Sequence, residues 1–148
     1  MKRLVTLLVT ALLMTAALCV SASAADYQSA AEDLSAIGMF RGTVNGGFEL
    51  DRAPKRSEAA IMLVRLYGAE EEAAAAYQSG EISHPFKDVG PIASPYVAWL
   101  YTKGITKGAT ATTFNSNAAC TDKNYVVFLL RALGYEDGKD FQYAESLT

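Results

Sequence analysis

Leu34–Gly68 reads LSAIGMFRGTVNGGFELDRAPKRSEAAIMLVRLYG, and Leu100–Gly134 reads LYTKGITKGATATTFNSNAACTDKNYVVFLLRALG, so the two segments align without a gap. Eight of the 35 aligned positions are identical at a spacing of 66 residues. Chance identity at roughly 6% per position would give about two. A unit this short cannot bury its own apolar face, so the repeat predicts two units that pack on each other.

The spacing of apolar residues predicts that the first unit is a helix, a glycine-bearing loop and a second helix. Residues 30–37 carry an apolar stripe, Gly38 ends the helix, and Phe48 packs the loop onto the core. The second helix begins at Arg56 and ends at Gly68. Its predicted buried face consists of Ile61, Leu63, Val64, Leu66 and Tyr67.

The second unit repeats this plan. Ser94 is predicted to be an N-cap with Pro95 as the first helical residue, and Gly104 ends that helix. Phe114 is the buried loop aromatic, Trp99 belongs to the core, and Thr121 caps the last helix. The apolar residues of that last helix are Val126, Val127, Leu129, Leu130 and Leu133. No segment alternates for long enough to predict a strand beyond two or three residues.

The first 24 residues have the pattern of a secretory signal peptide. A basic start, Met1-Lys2-Arg3, precedes an almost wholly apolar run, Leu4 to Val20, and then Ala22-x-Ala24 as a cleavage site. Cleavage would leave 11 basic and 16 acidic residues, from 13 and 16 in the whole chain, and a net charge of −5. This balance argues against nucleic acid or an anionic membrane as the partner, so an anionic ligand would need a local cluster of cations.

Few residues of the mature chain could carry catalysis or bind a metal. His84 is the only histidine and Cys120 the only cysteine after cleavage, so neither a disulfide nor a Cys–His pair is predicted. A lone histidine also cannot make a metal site. We therefore predict neither an enzyme nor a cofactor. The acidic run Glu70–Glu72 is predicted to be a solvated helix face.

Several motifs recur in order in the two units. The second unit contains Phe86-Lys87-Asp88-Val89, Gly104-Ile105-Thr106-Lys107-Gly108 and Thr113-Phe114. The first contains Gly38-Met39-Phe40-Arg41-Gly42, Gly47-Phe48 and Lys55-Arg56-Ser57-Glu58. These resemble the F-x-D-V, G-I-x-x-G, G-x-F and T-R-x-E motifs of the S-layer homology (SLH) family of bacterial cell-surface proteins.

The resemblance implies an all-α fold of tandem helix-loop-helix repeats, part of a three-pronged, pseudo-threefold spindle whose third repeat is truncated here. The expected organisation is a signal peptide at 1–24, repeat 1 at 26–68, a helical extension and linker at 69–83, repeat 2 at 84–135, and the start of repeat 3 at 136–148. Missing surfaces would then be completed by the rest of a third repeat or by self-association.

The resemblance also implies a ligand, the secondary cell-wall polysaccharide linked to peptidoglycan, often bearing a pyruvate ketal. The arginine of T-R-x-E corresponds to Arg56, which a carboxylate could engage bidentately beside exposed helix N–H groups. In the second unit Asp122 takes that place, and Lys123 is a partial substitute. The candidate binding residues are Arg56, Lys55, Arg41, Gly42, Lys107, Gly108 and Lys123.

Each candidate has a plainer interpretation. Arg56 could be a solvated residue that pairs with Glu58 or Asp51, and Gly42 and Gly108 could serve only the turns. Arg65 and Arg131 recur in both units, and we predict a packing or ion-pair role for them. The predicted function is non-covalent anchoring of a secreted protein to a Gram-positive-type cell wall or S-layer, without stable membrane insertion. The alternative is a structural repeat that mediates self-assembly or protein–protein interaction at the cell surface.

Overall fold

The computed structural model of this chain describes residues 27–43 and 46–143. These residues form five α-helices, which are α1 (Tyr27–Ala36), α2 (Arg56–Leu66), α3 (Glu70–Ser79), α4 (Ser94–Thr102) and α5 (Asp122–Ala132). Extended pairing in these ranges is limited to two isolated bridges, Lys55 with Ala119 and Asp137 with Phe141. The all-α prediction is therefore confirmed for the described ranges. The predicted signal peptide and residues 144–148 lie outside them.

The helix ends follow local sequence signals with one exception. Thr121 is the N-cap of α5, and its hydroxyl accepts a hydrogen bond from the Asn124 N–H at 3.3 Å, as predicted. The prediction that Ser94 caps α4 is wrong, because Ala93 is the N-cap and Ser94 is already helical. The Ser94 hydroxyl instead donates to the Gly90 carbonyl at 3.0 Å, which closes the preceding turn. The glycines predicted to end helices, Gly38, Gly68, Gly104 and Gly134, all have positive φ.

The core lies where α4 packs against α2 and α3. Its fully buried aliphatic residues include Leu63 and Val64 from α2 and Val97 and Leu100 from α4. Phe114 joins them from the second loop with 0% of its surface exposed, and Trp99 is 6% exposed. The predictions for Phe114 and Trp99 are therefore confirmed.

The buried faces are narrower than predicted. Phe48, the first unit's counterpart of Phe114, is only half-buried and packs against Phe40 with 6.0 Å between ring centroids. Other apolar residues of the predicted helix faces remain exposed, because they lie at helix ends or flanks that the described elements cover at most in part. These exposed residues are Ile37, Leu66, Tyr67, Val126 and Leu133.

Helix α3 connects the two units through its acidic first turn. The Tyr96 hydroxyl donates to Glu70 at 2.5 Å, and the Trp99 indole N–H donates to Glu72 at 2.9 Å. The prediction that this acidic run is a solvated face is therefore wrong for Glu70, which is half-buried against α4, but it is confirmed for Glu71 and Glu72, which are exposed. Among the described residues, no helix is both long enough and apolar enough to traverse a bilayer.

Candidate ligand-binding groove

The beginning of α2 docks onto the second unit's loop through the backbone. The Arg56 N–H donates to the Ala118 carbonyl at 2.9 Å, and the Ser57 N–H donates to the Ser116 carbonyl at 3.1 Å. In return, the Cys120 N–H donates to the Pro54 carbonyl at 2.8 Å. The prediction that N–H groups at this helix start receive an anion is thus wrong for Arg56 and Ser57. Their N–H groups are satisfied by the neighbouring unit.

An open cavity of about 800 Å³ lies at this contact, and we call it the inter-unit groove. Arg56 enters it from the first unit, while the second unit supplies Lys107 and Gly108 from its loop and Arg131 from α5. Among the described lining residues, three are cationic and one, Asp137, is a carboxylate. The groove is therefore positively charged although the chain as a whole is acidic.

Arg56 is held between two aromatic rings. Its guanidinium carbon lies 4.9 Å from the ring centroid of Phe114 and 4.6 Å from that of Phe128, within the range of cation–π attraction. Its Nε is buried and has no hydrogen-bond partner. Burial, with repulsion from Arg131 as a smaller contribution, lowers the pKa of Arg56 below that of a free guanidinium. A guanidinium nevertheless stays charged at neutral pH. Arg56 is therefore a cation in the groove, and none of the described carboxylates pairs with it.

Arg131 differs from Arg56 in having an acidic partner. Its Nη2 lies 3.1 Å from Asp137 Oδ2, which confirms the predicted ion pair. Hydrogen bonding from the Tyr143 N–H, followed by that from Arg131, lowers the pKa of Asp137. Asp137 is consequently ionised at neutral pH, and its charge offsets one of the three positive charges in the groove.

Tyr143 forms one wall of the groove. Its hydroxyl donates to the Asn124 Oδ1 at 2.7 Å, and its N–H donates to Asp137 Oδ1 at 3.1 Å. The Lys123 ammonium lies 4.9 Å from the centroid of the Tyr143 ring. An aromatic wall beside an unpaired guanidinium suits a ligand that has both an apolar face and an acidic group, as a substituted sugar does.

A second cavity of about 340 Å³, the first-unit cavity, lies at corresponding positions 66 residues earlier. Arg41, Gly42 and Arg65 line it where Lys107, Gly108 and Arg131 line the inter-unit groove. Every arginine of this cavity has an acidic partner. Arg41 and Arg65 both pair with Glu70, and Arg52 pairs with Glu49 at 2.7 Å and Glu58 at 2.8 Å.

The structure therefore separates the predicted binding residues. It brings Arg56, Lys107 and Gly108 together, whereas Arg41 and Gly42 lie in the first-unit cavity. Lys55, the N-cap of α2, and Lys123 are exposed, and neither lines either of these two cavities. The plainer interpretation of Arg56 does not hold among the described residues, because Glu58 pairs with Arg52 and not with Arg56.

The turn glycines are explained by packing. A Cβ at Gly108 would lie 2.2 Å from Phe86 Cε1, and one at Gly42 would lie 2.7 Å from the Gly47 carbonyl oxygen. Both residues also have positive φ, 79° and 65°. Glycine is thus required at these positions without any ligand.

Sequence reasoning missed several residues of the groove, namely Arg131, Phe128, Asn124, Asp137 and Tyr143. A signal existed only for Arg131, which recurs with Arg65 in the alignment. Phe128 and Asn124 correspond to Met62 and Glu58, whereas Asp137 and Tyr143 lie beyond the aligned segment Leu100–Gly134, so the repeat could not single them out.

Comparison with known proteins finds a family model that matches one segment of the chain. Residues 85–121 match the sequence model of the S-layer homology domain. The matched segment runs from the Phe86-Lys87-Asp88-Val89 motif through α4 and the Phe114 loop to the cap of α5, so Arg56 and Arg131 lie outside it. No curated protein matches the chain significantly.

Proposed function

Because residues 85–121 are an S-layer homology domain, a module of cell-surface anchoring, we propose that the inter-unit groove binds an acidic cell-wall polysaccharide. The protein would thereby attach non-covalently to a Gram-positive-type wall after export by the signal peptide at 1–24. S-layer homology domains are binding modules, which agrees with the prediction of a non-enzymatic role. The ligand we propose carries a pyruvate ketal.

The observation that carries this proposal is the unpaired, half-buried guanidinium of Arg56 in a cavity that is cationic. A partly buried charge without a counter-ion is costly, and an incoming carboxylate would neutralise it. The planar fork of arginine suits a carboxylate, and the flanking Phe114 and Phe128 hold it in place. Lys107 adds a further positive charge to the lining of the groove.

We further propose that the chain is built from tandem helical units within the three-pronged arrangement that the family implies. The proposal is supported by the two cavities, whose cationic and glycine positions correspond at a spacing of 66 residues. The docking of α2 onto the second loop would then be the contact made between successive prongs.

Binding to purified cell-wall sacculi tests the proposed function. The chain without residues 1–24 should be retained by sacculi that carry pyruvylated polysaccharide and released when that polysaccharide is stripped. Arg56→Ala should weaken binding at least tenfold, because a charge-assisted hydrogen bond contributes about 1.5–3 kcal/mol.

Arg52→Ala is the matched control, since Arg52 is paired with Glu49 and Glu58 outside the groove. Its affinity should stay within about twofold of wild type, because Arg52 does not line the groove and its two exposed ion pairs contribute little to stability. Equal retention by intact and stripped sacculi would refute the proposal.

A second candidate function is a structural module that assembles through its apolar surface. The observation in its favour is the set of exposed apolar side chains, of which Leu133 is 75% and Ile37 is 72% exposed. Sedimentation should then show a stable oligomer, and the oligomer should persist in Arg56→Ala. A monomer at micromolar concentration would remove this candidate.

A further inference from the structure

We propose that Arg131 is a second ligand-binding guanidinium of the inter-unit groove, so that one acidic group is held between an arginine from each unit. The inference rests on the proposed function of the groove and extends it to a residue outside both the matched domain and the arginine motif. It also departs from the sequence-based expectation that Arg131 serves only in packing or an ion pair.

The first argument is the convergence of like charges. Arg56 and Arg131 line the same cavity, and Arg131 is near enough for its charge to act on Arg56. Two guanidinium groups drawn together in a partly buried site repel each other more strongly than they would in water. An anion between them would convert that repulsion into attraction.

The second argument is that the ion pair with Asp137 leaves most N–H donors of the Arg131 guanidinium without a partner among the described residues. Among the described residues, its only hydrogen bond runs from Nη2 to Asp137. A guanidinium has five N–H donors in a planar fork, so further donors remain for a ligand while Asp137 holds one edge. The side chain is 14% exposed, which limits its mobility without closing it off from the groove.

The third argument comes from Arg65, the residue that corresponds to Arg131 in the first unit. Arg65 pairs with Glu70 at 3.4 Å, and Glu70 also pairs with Arg41. No unpaired arginine enters the first-unit cavity from another unit among the described residues. Both arginines at this repeat position thus have an acidic partner, but only Arg131 shares its cavity with an arginine that no described carboxylate pairs.

The test compares Arg131→Ala, Arg131→Lys and the matched control Arg65→Ala. The probe is a hexose carrying a pyruvate ketal, and its affinity is measured by calorimetry on the chain without residues 1–24. We expect Arg131→Ala to bind at least tenfold more weakly and Arg65→Ala to remain within twofold of wild type. Arg131→Lys keeps the charge and the pairing with Asp137 but loses the fork, so we expect binding three- to tenfold weaker with an unchanged Tm.

A direct measurement covers the case in which Arg131→Ala fails to fold. In wild-type protein labelled with ¹⁵N-arginine, the Nε–H signals of Arg56 and Arg131 should shift together, with one midpoint, as the probe is added. The signals of Arg52 and Arg65 should stay in place. Shifts at Arg56 alone, or equal effects of Arg131→Ala and Arg65→Ala on affinity, would overturn the inference and leave the proposed function intact.

Failure of the proposed function has a different signature. If wild type binds neither the ketal probe nor sacculi, the same NMR titration with inorganic phosphate reports on the arginine pair alone. A shared midpoint for Arg56 and Arg131 would still support a two-arginine anion site. Separate midpoints or no shift would reject it.

Discussion

Phe114 belongs both to the hydrophobic core and to the surroundings of Arg56, the arginine of the groove. Its ring lies 5.7 Å from that of Phe86 and 4.9 Å from the guanidinium carbon of Arg56. The loop that carries it is held by Asp88, whose carboxylate accepts hydrogen bonds from the N–H groups of Phe114 and Ser116 at 2.7 and 3.0 Å. One aromatic side chain therefore links stability to ligand binding.

Phe114→Ala should lower the free energy of unfolding by about 3–5 kcal/mol, since it leaves a cavity at a fully buried position. Phe48→Ala is the matched control from the first unit, and its cost should be clearly smaller because Phe48 is only half-buried. Urea denaturation followed by circular dichroism measures both. Equal losses for the two variants would contradict the assignment of Phe114 to the core.

In helix α3, the side chain of Glu70 contacts several other segments of the chain. This carboxylate accepts hydrogen bonds from Tyr96 of α4 and Arg65 of α2, and it pairs with Arg41. Burial alone would raise the pKa of Glu70, but the Tyr96 hydroxyl and the two arginines outweigh it, so the pKa is lowered from 4.5. The helix thus ties three segments of the chain through one side chain.

Glu70→Gln should cost about 1–3 kcal/mol at pH 7, because it removes charge from several hydrogen bonds at once. Since the folded-state pKa lies below the unfolded value of 4.5, the contribution of Glu70 is present above that pH. It is lost as the pH falls through the folded-state pKa. The stability difference between wild type and variant should therefore shrink below about pH 4.5.

Glu71→Gln supplies the control for this experiment, as Glu71 is exposed on the same helix. It should change stability by less than about 0.5 kcal/mol at any pH. Thermal unfolding between pH 3 and pH 7 measures both variants. A Glu70 effect that does not depend on pH would contradict the proposed ionic role.

The two units are joined by the docking of α2 onto the second loop, which gives the first N–H groups of that helix partners that they ordinarily lack. The groove exists only because of this contact, since its lining comes from both sides. Amide hydrogen exchange reports on this contact directly.

The amides of Arg56 and Ser57 should exchange at least a hundredfold more slowly than that of Asp122, which occupies the same position in α5. The expected reason is that the Arg56 and Ser57 N–H groups open only when the units separate. Exchange measured by NMR at pH 6–7 gives the comparison. Comparable rates for Arg56 and Asp122 would show that the units do not stay docked in solution.

Features that depend on neighbouring residues were predicted well. The helices at 56–66 and 122–132, the Thr121 cap and the glycine stops follow from short-range patterns, and they hold in the structure. The Ser94 cap failed because Ala93 and the Gly90 turn compete for that helix start. The prediction that Leu66 and Leu133 are buried was wrong, because apolar periodicity indicates a helix face but not whether another element covers that face.

The sequence by itself determined the helical class, the two corresponding segments and the S-layer homology resemblance, since these depend on residue type and spacing along the chain. Only the tertiary structure decided which cations act together. Arg41 is neutralised by Glu70, 29 residues away, whereas Arg56 is left unpaired beside Lys107 and Arg131 of the other unit. Charge pairing depends on distance in space, and that distance is set by how the units dock.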